Sequence, residues 1–294
     1  MTLSRLLITG AGGLLGHALC EAAVHRWSVF ALGRQTVPDV AQIQWVPADI
    51  TDDRRLGDVF DTVRPQAVIH AAAMSQPNAC EQSPKASAAV NLEATIRIGA
   101  CCAAAGIPLV FTSSDLVFDG THPPYEESDP VSPISVYGRH KAAAEMQLRA
   151  ANPGATICRL PLMFGYAPTG GGFLGELVHT LSTGGRPALF TDEIRTPVST
   201  RTAAQGLLAM LREPGLTVHM GGRQSISRYQ FGLYVATAMK LPAARIAPIR
   251  LGELTMPAPR SPDVSLNSRR AERLGFDAGD FIETLQDAIA RYDG

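Results

Sequence analysis

Short apolar runs separated by longer stretches of mixed character dominate the first half of the chain. Arg5 to Thr9 (RLLIT), Ser28 to Leu32 (SVFAL), Ala67 to His70, Pro108 to Ser113 and Thr156 to Leu160 are largely apolar, and Gln44 to Val46 is a weaker run of the same kind. Runs this short, apolar on both sides, predict strands buried on both faces. Between them the spacing predicts helices: from the glycines after Thr9 to about Val24, Asp53 to Val63 with Asp52 as a cap, an alanine-rich Lys85 to Ala105 ended by Gly106, and Tyr137 to Ala151. This β-α-β rhythm predicts an α/β fold built on a doubly wound parallel sheet of the Rossmann kind.

The rhythm changes after Leu160. Glycines and prolines cluster from Pro161 to Gly172, and Thr200 to Arg212 and Tyr229 to Met239 read as helices. The first of these is expected to pack back on the sheet. Leu251 to Asn267 is proline-rich and reads as a meander. The expected division is a nucleotide-binding domain over 1–160, rejoined by about 196–220, and a small C-terminal α+β substrate domain from 161–195 and 221–294.

Composition narrows the function classes. In 294 residues the hydrophobic share is 46% and the charged share 18%, as in a soluble globular protein. Lys plus Arg (26) nearly balance Asp plus Glu (27), which argues against nucleic acid or an anionic membrane as partner, while leaving room for a local basic pocket. The five cysteines are odd in number and form no CxxC pair, so buried thiols in a reducing cytoplasm are expected rather than disulfides or a metal site. The N-terminal MTLSRLLITGAGG is too short in apolar residues for a secretory signal, and no uninterrupted apolar stretch reaches membrane-spanning length.

The first candidate chemistry lies where the first strand meets the first helix. Gly10, Gly13 and Gly16 set a GxxGxxG spacing around Leu14 and Leu15, and Gly12 adds a GxG variant. Such a turn lets a pyrophosphate approach the backbone and meet the amides of a helix N-terminus. At the end of the second strand, Gly33-Arg34-Gln35 supplies no carboxylate for a ribose 2′-hydroxyl. Arg34 is placed to pair with a 2′-phosphate, which favours NADP over NAD unless that arginine is simply solvated. Asp49-Ile50 follows the third strand, where it either reaches the adenine edge or serves a turn.

The second lies at the fifth strand and the helix after it. Tyr137 and Lys141 stand at i and i+4, hence on one helix face. A phenol has an ordinary pKa of about 10, and a nearby ammonium favours the phenolate. Ser113 and Ser114 end the preceding strand, where a hydroxyl would hold a carbonyl oxygen. Glycine loop, strand-end serines and YxxxK together, in this order, point to carbonyl reduction by one of these serines with Tyr137 and Lys141.

These residues resemble the extended short-chain dehydrogenases, and among them the dTDP-4-dehydrorhamnose reductase group. The carriers are TGAGGLLG, His70-Ala71-Ala72-Ala73, Asn91 in AVNLEAT, Thr112 to Gly120 (TSSDLVFDG), Tyr137 to Lys141, and Glu193-Ile194-Arg195-Thr196-Pro197. The resemblance implies that Ser114 belongs to the catalytic set, that Tyr137 is the acid, and that Lys141 also binds the nicotinamide ribose. It also implies that Ala71, Ala72, Ala73 and Asn91 line the cofactor. The implied reaction is NADPH-dependent reduction of a carbonyl on a nucleotide-linked deoxysugar, in a cytoplasmic enzyme without a metal and with at most a second copy of itself as protein partner.

Some segments depart from the pattern. Ser114-Asp115-Leu116 stands where strict reductases of the group carry Thr-Asp-Tyr, MSQPNACEQSP replaces an acidic run, and Ala258-Pro259-Arg260-Ser261-Pro262 replaces an Arg-Pro pair. Leu116 disfavours dehydration, which uses Asp-Glu there, and Gly33-Arg34 disfavours the epimerases that keep NAD bound. A non-catalytic NADP-binding subunit like the β subunit of methionine adenosyltransferase resembles the same group and is the rival from another class; reduction of another small ketone is the rival within the enzymes. Arg159, Arg195, Arg223 and Arg260 are candidates for a pyrophosphate. His70 reads as part of a strand-end loop and His140 as a helix-surface residue.

Overall fold

A computed structural model describes residues 3–34, 40–167 and 171–292, so Gln35 lies outside the described residues. The apolar runs form strands β1 (Arg5–Thr9), β2 (Ser28–Gly33), β3 (Ile43–Pro47), β4 (Ala67–His70), β5 (Leu109–Ser114) and β6 (Thr156–Leu160). With the strand Thr217–His219 they build, among the described residues, a seven-stranded parallel sheet, in the order Thr217–His219, β6, β5, β4, β1, β2, β3. The Thr217–His219 strand is absent from the sequence reading because three residues carry no periodicity of their own; it forms by pairing with β6.

Helices cover both faces, as the two-sided burial requires. They are α1 (Leu14–Ala23), α2 (Asp53–Val63), α3 (Pro77–Gln82), α4 (Pro84–Ala88), α5 (Ala94–Ala105) and α6 (Val136–Ala151), then α7 (Phe173–Ser182), α8 (Thr200–Met210) and α9 (Arg228–Ala238). Side chains alternate across the sheet. Leu6 and Ile8 of β1 join a core with α1 and α8, whereas Leu7 joins one with α2, α5 and α6. Asp52 caps α2 by accepting from the Arg55 amide at 3.0 Å, as its position predicts.

The long helix expected over Lys85 to Ala105 is interrupted. A π-helical turn, Ala89–Glu93, separates α4 from α5, and Asn91 sits in it. Periodicity cannot reveal one inserted residue, and such turns concentrate at functional sites. Pro84–Ala105 is, among the described residues, long and apolar enough to cross a membrane by length and composition, with mean hydropathy 1.2, although Lys85, Asn91, Glu93 and Arg97 interrupt it. Here α5 packs against α6 and the sheet.

A separate apolar core lies beyond the sheet. Phe164, Leu174, Leu177, Phe231, Val235 and Phe281 meet there, joining α7 and α9 to the C-terminal helix Phe281–Ala290. Leu251 to Asn267 is mostly irregular, with single bridges that tie Leu266 to Tyr125 and Asp263 to Ile194. The five cysteines are free thiols, four buried and Cys101 half-buried.

Candidate active site

Chain order reverses between β1 and β4, so a crevice opens at their carboxyl ends. Two turns face each other there. Gly10 takes φ +71°, and a Cβ at this position would stand 2.6 Å from the Ala72 backbone. A Cβ at Gly16 would stand 2.1 Å from the Gly10 carbonyl oxygen, so helix α1 can close on the turn only with glycine there. The α1 N-terminus carries no side-chain cap and no acidic residue in its first turn. Its amides and dipole therefore face the crevice without a competing anion, which fits a dinucleotide pyrophosphate. Gly13 is exposed and Leu14 half-buried at this turn, while Leu15 belongs to the core beneath it.

Arg34 follows β2 and is exposed. Asp49 follows β3; its carboxylate accepts from the Thr51 amide at 2.9 Å and the Thr51 hydroxyl at 2.7 Å. These bonds, with a smaller effect of Arg34, hold Asp49 below the usual carboxylate range. Asp49 thus fills the turn role left open by the sequence. Ile50 is buried in the sheet core.

The turn after β4 is held from behind. Asn91 Oδ1 accepts from the Met74 amide and its Nδ2 donates to the Met74 carbonyl, both at 3.0 Å. Asn91 therefore fixes the Ala71–Ala73 backbone through its neighbour. His70 is sealed in the sheet between the Thr9 hydroxyl (2.7 Å) and the Thr95 hydroxyl (3.0 Å), stacked on Phe111. Burial, then the Lys141 charge, push its pKa down to about 3, so it is a neutral spacer. His140 is not the surface residue expected; it is half-buried and hydrogen-bonded to Ser87 at 2.8 Å.

Helix α6 begins at a Ser135 cap that accepts from the Gly138 amide at 3.1 Å. A Cβ at Gly138 would stand 2.1 Å from the Leu116 carbonyl oxygen, so the helix start presses on the segment after β5. That contact brings Tyr137 and Ser114 together. Tyr137 is 7% exposed, Ser114 6% and Lys141 1%. Burial raises the Tyr137 pKa, with Asp115 adding to the rise and the Ser114 hydroxyl acting against it. Lys141 Nζ donates to the Thr112 carbonyl at 2.7 Å and lies 4.4 Å from the Phe111 ring centroid. Burial pushes its pKa down to about 7, opposed by Glu145.

Beside Ser114 runs a buried charge chain. Asp115 lies 3.5 Å from Arg195, which donates to Glu193 at 3.0 Å, and Glu193 lies 3.6 Å from Arg228. Arg228 sits over the Phe173 ring, with one terminal nitrogen buried and without a hydrogen-bond partner. Arg260 has a buried Nε in the same condition and reaches Asn78 at 3.4 Å. It also lines a cavity of about 330 Å³ with Leu251, Leu254, Met256 and Pro259. Of the arginines singled out in the sequence, Arg159 is instead consumed by Glu145 and Arg223 by Asp277 on the surface. Arg228 carries no motif and was missed.

A curated relative, the probable low-salt glycan biosynthesis reductase Agl14 of Haloferax volcanii, is 30% identical over 96% of this chain and 95% of its own. Methionine adenosyltransferase 2 subunit beta of Bos taurus is 28% identical over 92% of this chain and 83% of its own. Among solved structures, the dTDP-4-dehydrorhamnose reductase of Bacillus anthracis in complex with NADP superposes with a TM-score of 0.88, covering 99% of this chain and all of its own at 20% identity, a likeness of fold. The sequence model of one family matches residues 4–293, and the chain belongs to it: the RmlD substrate binding domain family.

Proposed function

We propose that the protein is an NADPH-dependent reductase of a carbonyl on a nucleotide-linked deoxysugar, most simply a 4-keto-6-deoxyhexose. The observation that carries this reading is the buried face of α6, which sets the Tyr137 phenol against the Ser114 hydroxyl at the end of β5 and Lys141 against the Thr112 carbonyl of the same strand. NADPH, when bound, supplies the hydride. The glycine turn and the α1 amides would hold its pyrophosphate, Arg34 its 2′-phosphate, and the Ala71–Ala73 backbone its nicotinamide half. Ser114 orients the carbonyl oxygen, and Tyr137 gives that oxygen a proton as charge develops on it. Burial leaves Tyr137 a weak acid, with the Ser114 hydroxyl acting the other way, and a charged Lys141 one helical turn on would favour the phenolate further. Arg228 and Arg260, each with a buried unpaired nitrogen, suit a diphosphate, and the apolar cavity beside Arg260 suits a base. Residues 161–195 and 221–294 serve as the substrate-binding part.

A second reading is favoured by the methionine adenosyltransferase relative: a non-catalytic NADP-binding subunit of a larger enzyme. One experiment separates the two. NADPH oxidation is followed across nucleoside-diphosphate keto-sugars and simple ketones. Turnover on a nucleotide-linked ketone in preference to the free ketones supports the reductase. No turnover on any of them, with stable co-purification of a methionine adenosyltransferase, overturns it.

A further inference from the structure

Helix α6 carries a third ionisable group on the face that bears Tyr137 and Lys141. Glu145 lies one helical turn beyond Lys141 and is buried. Its Oε1 accepts from Ser113 of β5 at 2.5 Å and from Arg159 Nε of β6 at 3.0 Å, and its Oε2 accepts from the Arg159 terminal nitrogen at 2.7 Å. One carboxylate therefore ties the helix to two neighbouring strands. Arg159 is itself locked, with its other terminal nitrogen 3.3 Å from His219 and its guanidinium over Phe118.

We infer that Glu145 is a positioning residue for Lys141, fixing helix α6 on β5 and β6 and facing the Lys141 ammonium as its buried counter-charge. The surroundings of Lys141 support this. His70 faces it from β4, Phe111 and the Thr112 carbonyl from β5, Cys80 from α3, and Glu145 from its own helix, whose same face carries Tyr137 one turn earlier. His70 is neutral by burial, and burial raises the Cys80 thiol. That leaves Glu145 as the one carboxylate among these groups. Burial works against a charged lysine, and Glu145 is the largest influence in the opposite direction. Its ordering by Ser113 and Arg159 means that this charge cannot swing away.

What Lys141 does with its charge rests on the reductase reading, but the titration of Lys141 does not. The chain holds lysine only at 85, 141 and 240. Carbon-13 labelling of lysine therefore gives an uncrowded NMR spectrum, with the Lys141 signal identified by its loss in Lys141→Met. In the unliganded protein, Glu145→Gln keeps the side-chain shape and removes the charge. The Lys141 midpoint should then move down by about one pH unit or more. An unchanged midpoint in a variant with parental near-ultraviolet circular dichroism overturns the inference. Glu145→Gln leaves Arg159 buried without its anion and can fail to fold. The double variant Glu145→Gln with Arg159→Gln leaves no such charge, and its Lys141 midpoint should lie below that of Arg159→Gln alone; equal midpoints in these two proteins overturn the inference. A purely structural Glu145 would change the melting temperature and leave the midpoint in place.

Discussion

The Ser114 hydroxyl donates to the Asp115 carboxylate across 3.0 Å, so the group that would hold a substrate oxygen is engaged by its own neighbour. Asp115 is 3% exposed, and burial raises its pKa more than Arg195 at 3.5 Å lowers it. Asp115→Asn removes that charge and leaves Arg195 with Glu193. Breaking a buried pair from one side costs about 3–5 kcal/mol. With Glu193 still bonded to Arg195, the loss should fall at or below the lower end of that range. Urea denaturation measures it, and parental stability would show that the pair is not structural.

At the glycine turn, Gly16→Ala would place a methyl group 2.1 Å from the Gly10 carbonyl oxygen. The turn must shift to admit it, and the α1 amides shift with it. Fluorescence titration should find NADPH binding weakened at least tenfold while the fold persists. Parental affinity in this variant would remove the turn from the cofactor site.

Arg34 is exposed at the end of β2, and its charge acts on Asp49. Arg34→Ala should weaken NADPH more than NADH, because the guanidinium meets only the 2′-phosphate. Equal losses for the two cofactors would contradict that role.

Lys141 gives a pH signature. Its folded pKa of about 7 lies below the ordinary value of 10.5. Between these values the unfolded chain binds more protons than the folded one, so this group adds stability as pH rises from about 7. Buried thiols act oppositely above about pH 9, since Cys20 is pushed up to about 12 from 9.0. The usable window is therefore pH 7 to 9. Lys141→Met should remove the rising component, so melting curves of the two proteins should diverge with a slope across that window. Parallel curves would contradict a depressed Lys141.

Much of this was legible in the sequence. β1, β4, β5 and β6 are buried on both faces, so their apolar runs had no competing interpretation, and YxxxK fixed the α6 face by helical spacing alone. What stayed hidden depends on distant partners. The Ala89–Glu93 π turn carries Asn91, whose partner Met74 lies 17 residues away in the chain. Arg159, one of four candidates for a pyrophosphate, is paired with Glu145, and Arg228, which no motif marks, is enclosed by Glu193 and Phe173. The Ser114–Asp115 bond was invisible because adjacent residues can face one another or apart.

Tyr137 carries the central claim, since it is the only tyrosine followed by a lysine one helical turn on. Tyr137→Phe keeps the ring in its buried place and removes the proton. The direct measurement is the single-turnover rate of NADPH oxidation with the best nucleotide-linked keto-sugar, in parent and variant, at equal cofactor occupancy. General acid catalysis is worth about 10²–10⁴-fold, and the rate should fall by that order with NADPH affinity retained. A variant that turns over at near-parental rate would contradict Tyr137 as the acid and the reductase mechanism with it.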